Sequence, residues 1–210
     1  MKRLLLSISL ALCLGACCTT APRTHDAPPP AASAAFRSPL HIPAREIIIV
    51  RHADRDKDHD THAKHTGSSD YDSLTPAGWM RVQALAAALQ NQHVTRIITT
   101  TTLRTQQTAF AVEEDLAKSG QTPFLDFATL THASAPAAIV GRLEAAKPGD
   151  VVLLICHHEY VPGIIEALGG PTVPDINDAE YDRLYTLTRS PADPSQWTLT
   201  EKSFGTPYTH

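Results

Sequence analysis

Residues 46–52 decide the fold of this chain, and they read Glu46-Ile47-Ile48-Ile49-Val50-Arg51-His52. Four β-branched apolar residues are followed directly by a basic pair. Such a run is typical of a strand that is buried on both faces, as in the middle of a parallel sheet. Open α/β sheets bind ligands at the carboxyl ends of these strands, so Arg51 and His52 are candidate site residues. Taken alone, the pair is also consistent with the end of an exposed strand.

Strand and helix patterns alternate along the rest of the chain. Helices are indicated by apolar residues three and four positions apart, and strands by short runs of β-branched or apolar residues. The predicted strands lie at residues 94–98, 124–127 and 151–155, with two weaker antiparallel edge strands at 184–187 and 197–200. The predicted helices lie at about residues 76–91, 103–118, 136–146 and 164–168.

This alternation predicts an α/β fold, a three-layer α/β/α sandwich with a mainly parallel central sheet. Right-handed crossovers place the carboxyl ends of parallel strands at one edge of the sheet. The polar residues that follow three of the strands should therefore meet there. These residues are Arg51-His52, the segment Thr99–Arg104 and His157.

The first 44 residues are predicted to lie outside the folded domain. Lys2-Arg3 precede a short apolar stretch that ends in Leu14-Gly15-Ala16-Cys17. This pattern resembles a bacterial lipoprotein signal, in which Cys17 becomes the lipid-modified first residue; an ordinary cleaved signal peptide is the alternative. Cys18 in the next position favours, by the same resemblance, the outer membrane, with the domain facing the periplasm. We therefore divide the chain into a signal (1–17), a Pro/Ala-rich tether (18–44) and a folded domain (45–210).

The net charge and the cysteine content of the chain limit its possible partners and its sources of stability. The formal net charge is −4, and this gives no indication of a nucleic-acid partner. Cys156 is the one cysteine in the predicted domain, so no disulfide framework is available there and the domain must rely on its hydrophobic core.

A polar loop follows Arg51-His52 and carries His59, His62 and His65 among several aspartates. These side chains could bind a divalent metal, but the segment lacks the helical or hairpin frame of dedicated metal sites. A solvated loop without metal is the preferred interpretation.

Several motifs, taken in order, resemble the histidine phosphatase superfamily (phosphoglycerate-mutase-like proteins). The resemblance covers roughly residues 45–205, and each motif is weak alone. The motifs are Arg51-His52-Ala53, Leu74-Thr75-Pro76-Ala77-Gly78, Arg104-Thr105-Gln106-Gln107-Thr108-Ala109, the strand Val152 to His157, and the later Val161-Pro162 and Tyr181-Asp182-Arg183-Leu184-Tyr185.

The resemblance implies a role for each residue at the predicted edge. His52 would be the nucleophile that forms a phosphohistidine, with its ring held by a backbone carbonyl. Arg51 and Arg104 would clamp the phosphate oxygens, and a protonated His157 would add a third positive contact. Such a basic pocket implies a phosphatase that needs no metal and no other cofactor.

The sequence departs from the family pattern around His157. The family's Gly-His-Ser-Asn-Thr-Val-Pro is here Cys156-His157-His158-Glu159-Tyr160-Val161-Pro162. His158 becomes a further candidate for substrate binding. The general acid for the leaving group is unassigned, with Asp54 and Glu159 as candidates; the alternative role for either carboxylate is to orient an arginine.

Two functions follow from the resemblance. The first is a lipid-anchored phosphomonoesterase that acts on small phosphorylated molecules. The second is a catalytically weak lipoprotein that binds a phosphorylated ligand on the same scaffold; the missing acid favours it, and the two arginines and two histidines argue against it.

Overall fold

The structure is a computed structural model, and it describes residues 34–57, 72–128 and 135–205. These residues belong to one compact unit, Ala31–His210. Among them, no helix has the length and apolar character needed to cross a membrane.

The strands and helices follow the predicted alternation. The strands are β1 (Ala34–Arg37), β2 (Glu46–Arg51), β3 (Arg96–Thr100), β4 (Phe124–Ala128), β5 (Val151–Cys156), β6 (Arg183–Arg189) and β7 (Gln196–Ser203). The helices are α1 (Pro76–Leu89), α2 (Leu103–Lys118), α3 (Ala135–Leu143) and α4 (Val161–Ala167), with a 3₁₀ turn at His158–Tyr160 before α4.

The strands form one sheet in the order β1-β7-β6-β2-β5-β3-β4. The pairs β2–β5, β5–β3 and β3–β4 are parallel, whereas β6, β7 and β1 add an antiparallel half. The predicted α/β fold is confirmed, with a sheet that is mixed as a whole and parallel on the side that carries the candidate residues. In the pairing of β2 with β5, Arg51 lies opposite Cys156, so His52 and His157 leave the sheet side by side.

The two faces of β2 explain the three layers. Ile47 and Ile49 pack in one buried cluster with residues of α3 and α4. Ile48 and Val50 pack in a second cluster with residues of α1 and α2. Successive side chains of a strand point to opposite faces, so an unbroken apolar run requires a cover on both sides. Helices cover both faces of the sheet, so the ends of the strands lie at the edge of the sheet, between the two helical layers.

Two predictions about the ends of the domain are wrong. The strands at 184–187 and 197–200 are antiparallel as predicted, but neither is an edge strand, because β1 pairs with β7 and forms the edge. β1 lies in the predicted tether, and Ile42 and Ala44 of the same segment are fully buried. The fold therefore begins before residue 45.

The start of α1 packs tightly against the chain that follows the candidate nucleophile. Thr75 is the predicted N-cap, and its hydroxyl accepts a hydrogen bond from the backbone N–H of Gly78 at 3.0 Å. The backbone N–H of Thr75 donates to the carbonyl of Asp54 at 2.9 Å. A Cβ atom at Gly78 would lie 2.3 Å from that same carbonyl oxygen, so the position requires glycine.

We expect Gly78→Ala to destabilise the protein by about 3 kcal/mol or more, because the clash can be relieved only by moving the backbone of α1 away from Asp54. Gly141→Ala is the matched control: in α3 an added Cβ would meet nothing within 4 Å, and alanine should stabilise a helix by about 0.5–1 kcal/mol. Urea denaturation of both variants measures the difference. Equal stability of the two variants would show that the contact at Gly78 is not tight.

Candidate active site

His52 lies directly after β2, with only 2% of its surface exposed. Its backbone N–H donates to the carbonyl of Cys156 at 2.9 Å, which joins the ends of β2 and β5. Nδ1 of its ring lies 2.8 Å from the carbonyl of Ala53. A carbonyl can only accept, so Nδ1 carries the proton and Nε2 keeps its lone pair. A backbone carbonyl thus holds the ring, which is the arrangement that the resemblance implied.

The surroundings of His52 favour its neutral form. Burial lowers its pKa well below the ordinary value for histidine, and the positive charge of Arg104 and the nearby His157 lower the pKa further. Desolvation and neighbouring cations both penalise the imidazolium form. The ring is therefore neutral near neutral pH, with an unprotonated Nε2.

Arg104 connects the two candidate histidines. It lies in the first turn of α2, and its Nε donates to Nε2 of His52 at 3.1 Å. Its Nη2 donates to Nδ1 of His157, over 3.2 Å. The hydroxyl of Thr108 donates to the carbonyl of Arg104 at 2.7 Å and accepts from the backbone N–H of Ala53 at 3.1 Å. This bridge fixes the start of α2 against the backbone beside the nucleophile.

His157 follows β5 and is buried. Because an arginine can only donate, Nδ1 of His157 is an acceptor and Nε2 carries the ring proton. Nε2 lies 3.1 Å from the hydroxyl of Thr100 at the end of β3. The resemblance implied a protonated His157, whereas this contact favours the neutral ring, because a doubly protonated ring has no lone pair for Arg104. Thr100 is one of four consecutive threonines, Thr99 to Thr102. The sequence alone did not indicate which of their hydroxyl groups contacts His157.

Arg51 is also buried, but it is held by a segment whose role the sequence did not reveal, residues 177–181. Its Nη1 donates to the backbone carbonyls of Asn177, Asp178 and Glu180 at 3.2, 2.9 and 3.0 Å. Its Nη2 donates to Oδ1 of the Asp178 carboxylate at 3.0 Å. Nε of Arg51 is buried and has no hydrogen-bond partner among the described residues.

Tyr181 covers this end of the site. Its ring centroid lies 3.8 Å from Cζ of Arg51 and 5.8 Å from the centroid of the His52 ring. The sequence had placed Tyr181 in a family-like late strand without a role in the site. A stacked tyrosine shields a guanidinium from water and fixes its plane.

The two proposed acids both contact basic side chains. Nε of Arg81 lies 2.6 Å from Oδ2 of Asp54, so Asp54 takes the alternative role of orienting an arginine. Oε2 of Glu159 lies 3.0 Å from Nδ1 of His158. Burial lowers the pKa of the His158 ring, and Arg51 adds to the effect. Arg51 is thus close enough to influence His158 electrostatically, although no direct contact between the two is seen among the described residues.

A cavity of about 590 Å³ opens beside the site. Its walls come from the chain after His52, the start of α1 and the 177–181 segment, and they include Lys57, Asp178 and Tyr181. Tyr181 belongs both to this cavity and to the surroundings of His52. The cavity is large enough for the leaving group of a small ester.

The described residues contain no group of three or more His, Cys, Asp or Glu side chains that could hold a metal ion. The predicted alternative site at His59, His62 and His65 lies outside the described ranges, as does Cys17.

Fold and site together define a class of protein: an α/β sandwich that gathers two arginines and two histidines at the carboxyl edge of its parallel strands. Comparisons with known proteins bear on the fold of this class and on part of its sequence. The model of the histidine phosphatase superfamily (branch 1) matches residues 47–123. The matched residues include α1, β3, α2 and all of β2 except Glu46, and with them His52 and Arg104.

Solved structures share the fold at low sequence identity. The protein histidine phosphatase SixA complexed with tungstate is 19% identical, with a TM-score of 0.52, over 78% of this chain and 96% of that chain. A Nakamurella multipartitia protein assigned as a phosphohistidine phosphatase SixA is 16% identical, with a TM-score of 0.51, over 86% of this chain and 99% of that chain. No curated protein matches the chain.

Proposed function

We propose that this protein is a phosphomonoesterase that hydrolyses small phosphate esters through a phosphohistidine on His52, without a metal ion. The observation that carries the proposal is the state of the His52 ring. Its Nδ1 is fixed by the carbonyl of Ala53 at 2.8 Å, and its unprotonated Nε2 faces Arg104 at 3.1 Å. A buried neutral imidazole next to guanidinium groups is suited to attack phosphorus rather than to bind an anion as a cation.

The reaction would proceed in two displacements. In the first, the lone pair of Nε2 attacks phosphorus, the bond from phosphorus to the ester oxygen breaks, and that oxygen leaves with the bonding pair and takes up a proton. In the second, water attacks phosphorus and loses a proton, and the phosphorus–nitrogen bond returns its pair to Nε2. The carbonyl of Ala53 holds the Nδ1 proton in both steps, so the ring carries the phosphoryl group as a stabilised cation.

The arginines supply the electrostatic part of catalysis. Arg104 already donates to both histidines, so its guanidinium lies within reach of the oxygens of a phosphoryl group on Nε2. Binding of phosphate would exchange these histidine contacts for contacts with oxygen. Donors placed in advance at developing negative charge are the main catalytic device in phosphoryl transfer.

One observation favours the second function, a catalytically weak binder of phosphorylated ligands. Asp54, Glu159 and Asp178 lie near the site, and each of these carboxylates contacts a basic side chain. Alkyl esters need a proton on the departing oxygen, whereas aryl phosphates leave without much help. The enzyme proposal therefore predicts efficient turnover only of esters with good leaving groups.

Release of inorganic phosphate from p-nitrophenyl phosphate by the purified full-length protein tests the proposal. We expect turnover of this aryl ester, and slower turnover of glycerol phosphate, in a metal-chelating buffer. Binding of inorganic phosphate without release of p-nitrophenol would favour the binder, and loss of turnover on chelation would contradict the metal-free mechanism.

Thr100 offers a test of how His157 is oriented. We expect Thr100→Val, which keeps the shape but removes the hydroxyl that meets Nε2 of His157, to lower kcat/KM for p-nitrophenyl phosphate about tenfold, the equivalent of one lost hydrogen bond. Thr100→Ser should retain activity within about threefold, since its hydroxyl can make the same contact. Equal losses in both variants would indicate a packing role for the threonine methyl group instead.

The cellular location is part of the proposal and rests on sequence alone. Lys2-Arg3, the apolar stretch after them and Leu14-Gly15-Ala16-Cys17 support lipid attachment at Cys17 in a bacterial cell envelope. The outer membrane, with the domain facing the periplasm, is the location that Cys18 favours. Small phosphorylated molecules of that compartment would be the substrates.

A further inference from the structure

The carboxylate of Asp178 pairs with the guanidinium group of Arg51, which the proposed phosphatase needs to bind its substrate. Oδ1 of Asp178 lies 3.0 Å from Nη2 of Arg51, and Oδ2 accepts a hydrogen bond from Lys57. The side chain of Arg51 is 2% exposed, whereas those of Asp178 and Lys57 are 55% and 42% exposed. The carboxylate therefore bridges a buried cation and an exposed cation, at the wall of the cavity beside His52.

Asp178 is an anion under all physiological conditions. The hydrogen bond from Lys57 lowers the pKa of its carboxyl to about 2, and Arg51 contributes to the same effect. A group with so low a pKa cannot donate a proton to a leaving group near neutral pH, so Asp178 is not the missing general acid. It does have the charge and the oxygen spacing with which carboxylates and phosphates bind the same face of a guanidinium.

The attachment of Asp178 to Arg51 has two separable parts. Its backbone carbonyl accepts from Nη1 at 2.9 Å, and the carbonyls of Asn177 and Glu180 do the same, so the 177–181 segment is fastened by its backbone. The carboxylate contact comes in addition to these. The side chain can therefore leave Arg51 while the segment stays in place, and Lys57 offers it a second partner at the surface.

We propose that Asp178 is an internal competitor of the substrate: its carboxylate occupies Arg51 in the resting site and is displaced onto Lys57 when a phosphate dianion binds. This inference rests on the proposed function, since it concerns the same arginine. A dianion can outcompete one carboxylate through its greater charge, whereas a singly charged carboxylate ligand cannot. Asp178 would thus determine specificity, by excluding singly charged anions from the site at a cost in phosphate affinity.

Isothermal titration calorimetry of the full-length protein with inorganic phosphate tests this inference, because binding does not depend on turnover. We expect Asp178→Asn, which keeps the shape and removes the charge, to bind phosphate about tenfold more tightly than the wild type. Asp178→Glu keeps the charge and should bind within about threefold of the wild type. Asp175→Asn, an exposed carboxylate on the approach to the same segment, is the control for a general loss of negative charge and should also bind like the wild type.

The outcomes separate this inference from the function on which it rests. Equal or weaker binding by Asp178→Asn would overturn this inference but not the proposed function. Asp178 would then only hold the 177–181 segment in place. A matching gain in Asp175→Asn would also overturn it, because the effect would then be one of bulk charge. Phosphate binding by none of the proteins would overturn both the inference and the phosphate site.

Discussion

Replacement of His52 by alanine is expected to lower kcat for p-nitrophenyl phosphate by about 10⁴-fold or more, the scale seen when a covalent nucleophile is removed. The ring provides both the lone pair that attacks phosphorus and the atom that carries the phosphoryl group. The other buried histidine, His157, cannot replace it, because its Nδ1 is engaged by Arg104 and its Nε2 lies against Thr100. Steady-state release of p-nitrophenol measures the loss.

The matched control for this variant is His41→Ala, at an exposed histidine in the segment before β2. It should retain wild-type activity. Binding of inorganic phosphate should survive in His52→Ala, since both arginines remain. If His52→Ala kept a tenth or more of the activity in a fully folded protein, the covalent mechanism would be wrong.

Replacement of Arg104 by glutamine is expected to lower kcat by about 10²–10³-fold, the typical loss when one donor to a developing oxyanion is removed. Lysine should not restore the activity, because a single ammonium cannot make the two contacts that Nε and Nη2 make with His52 and His157. Arg45→Gln, at an exposed position before β2, is the control and should leave kcat unchanged.

The variant Arg104→Gln should also raise the pKa of His52. Arg104 is one of the groups that lower the pKa of His52, so its removal stabilises the imidazolium form and raises the pKa toward the ordinary value. In an NMR titration from about pH 8 to about pH 5, wild-type His52 should stay neutral further into the acid range than His52 of Arg104→Gln. An unchanged or lower pKa in the variant would contradict the described contact.

The parallel half of the sheet and its site residues could be predicted from local patterns. The run at 47–50 is apolar on both faces, and that pattern predicted helices on both sides of β2, as observed. The right-handed connection rule then brought His52, Arg104 and His157 to one edge. For these residues the secondary-structure pattern was sufficient, because each directly follows a strand or begins a helix.

The parts that could not be predicted depend on contacts between distant residues. Arg51 contacts the 177–181 segment across 126 to 129 positions of sequence. The acceptors are backbone carbonyls, which every residue has, so the amino-acid sequence does not reveal these contacts. β1 is a short stretch in a Pro- and Ala-rich region, and it becomes a strand because β7 offers an edge to pair with. The protonation pattern of His157 follows from the exact placement of Arg104, which no spacing rule supplies.

The most direct test of the central claim is to stop the reaction of the full-length protein with p-nitrophenyl phosphate within a turnover and to map the bound phosphate by mass spectrometry under alkaline conditions. The account predicts phosphate on the peptide that carries His52, labile to acid and absent from His52→Ala. Turnover at a steady rate with no covalent phosphate at any time, or phosphate found on a different residue, would contradict it.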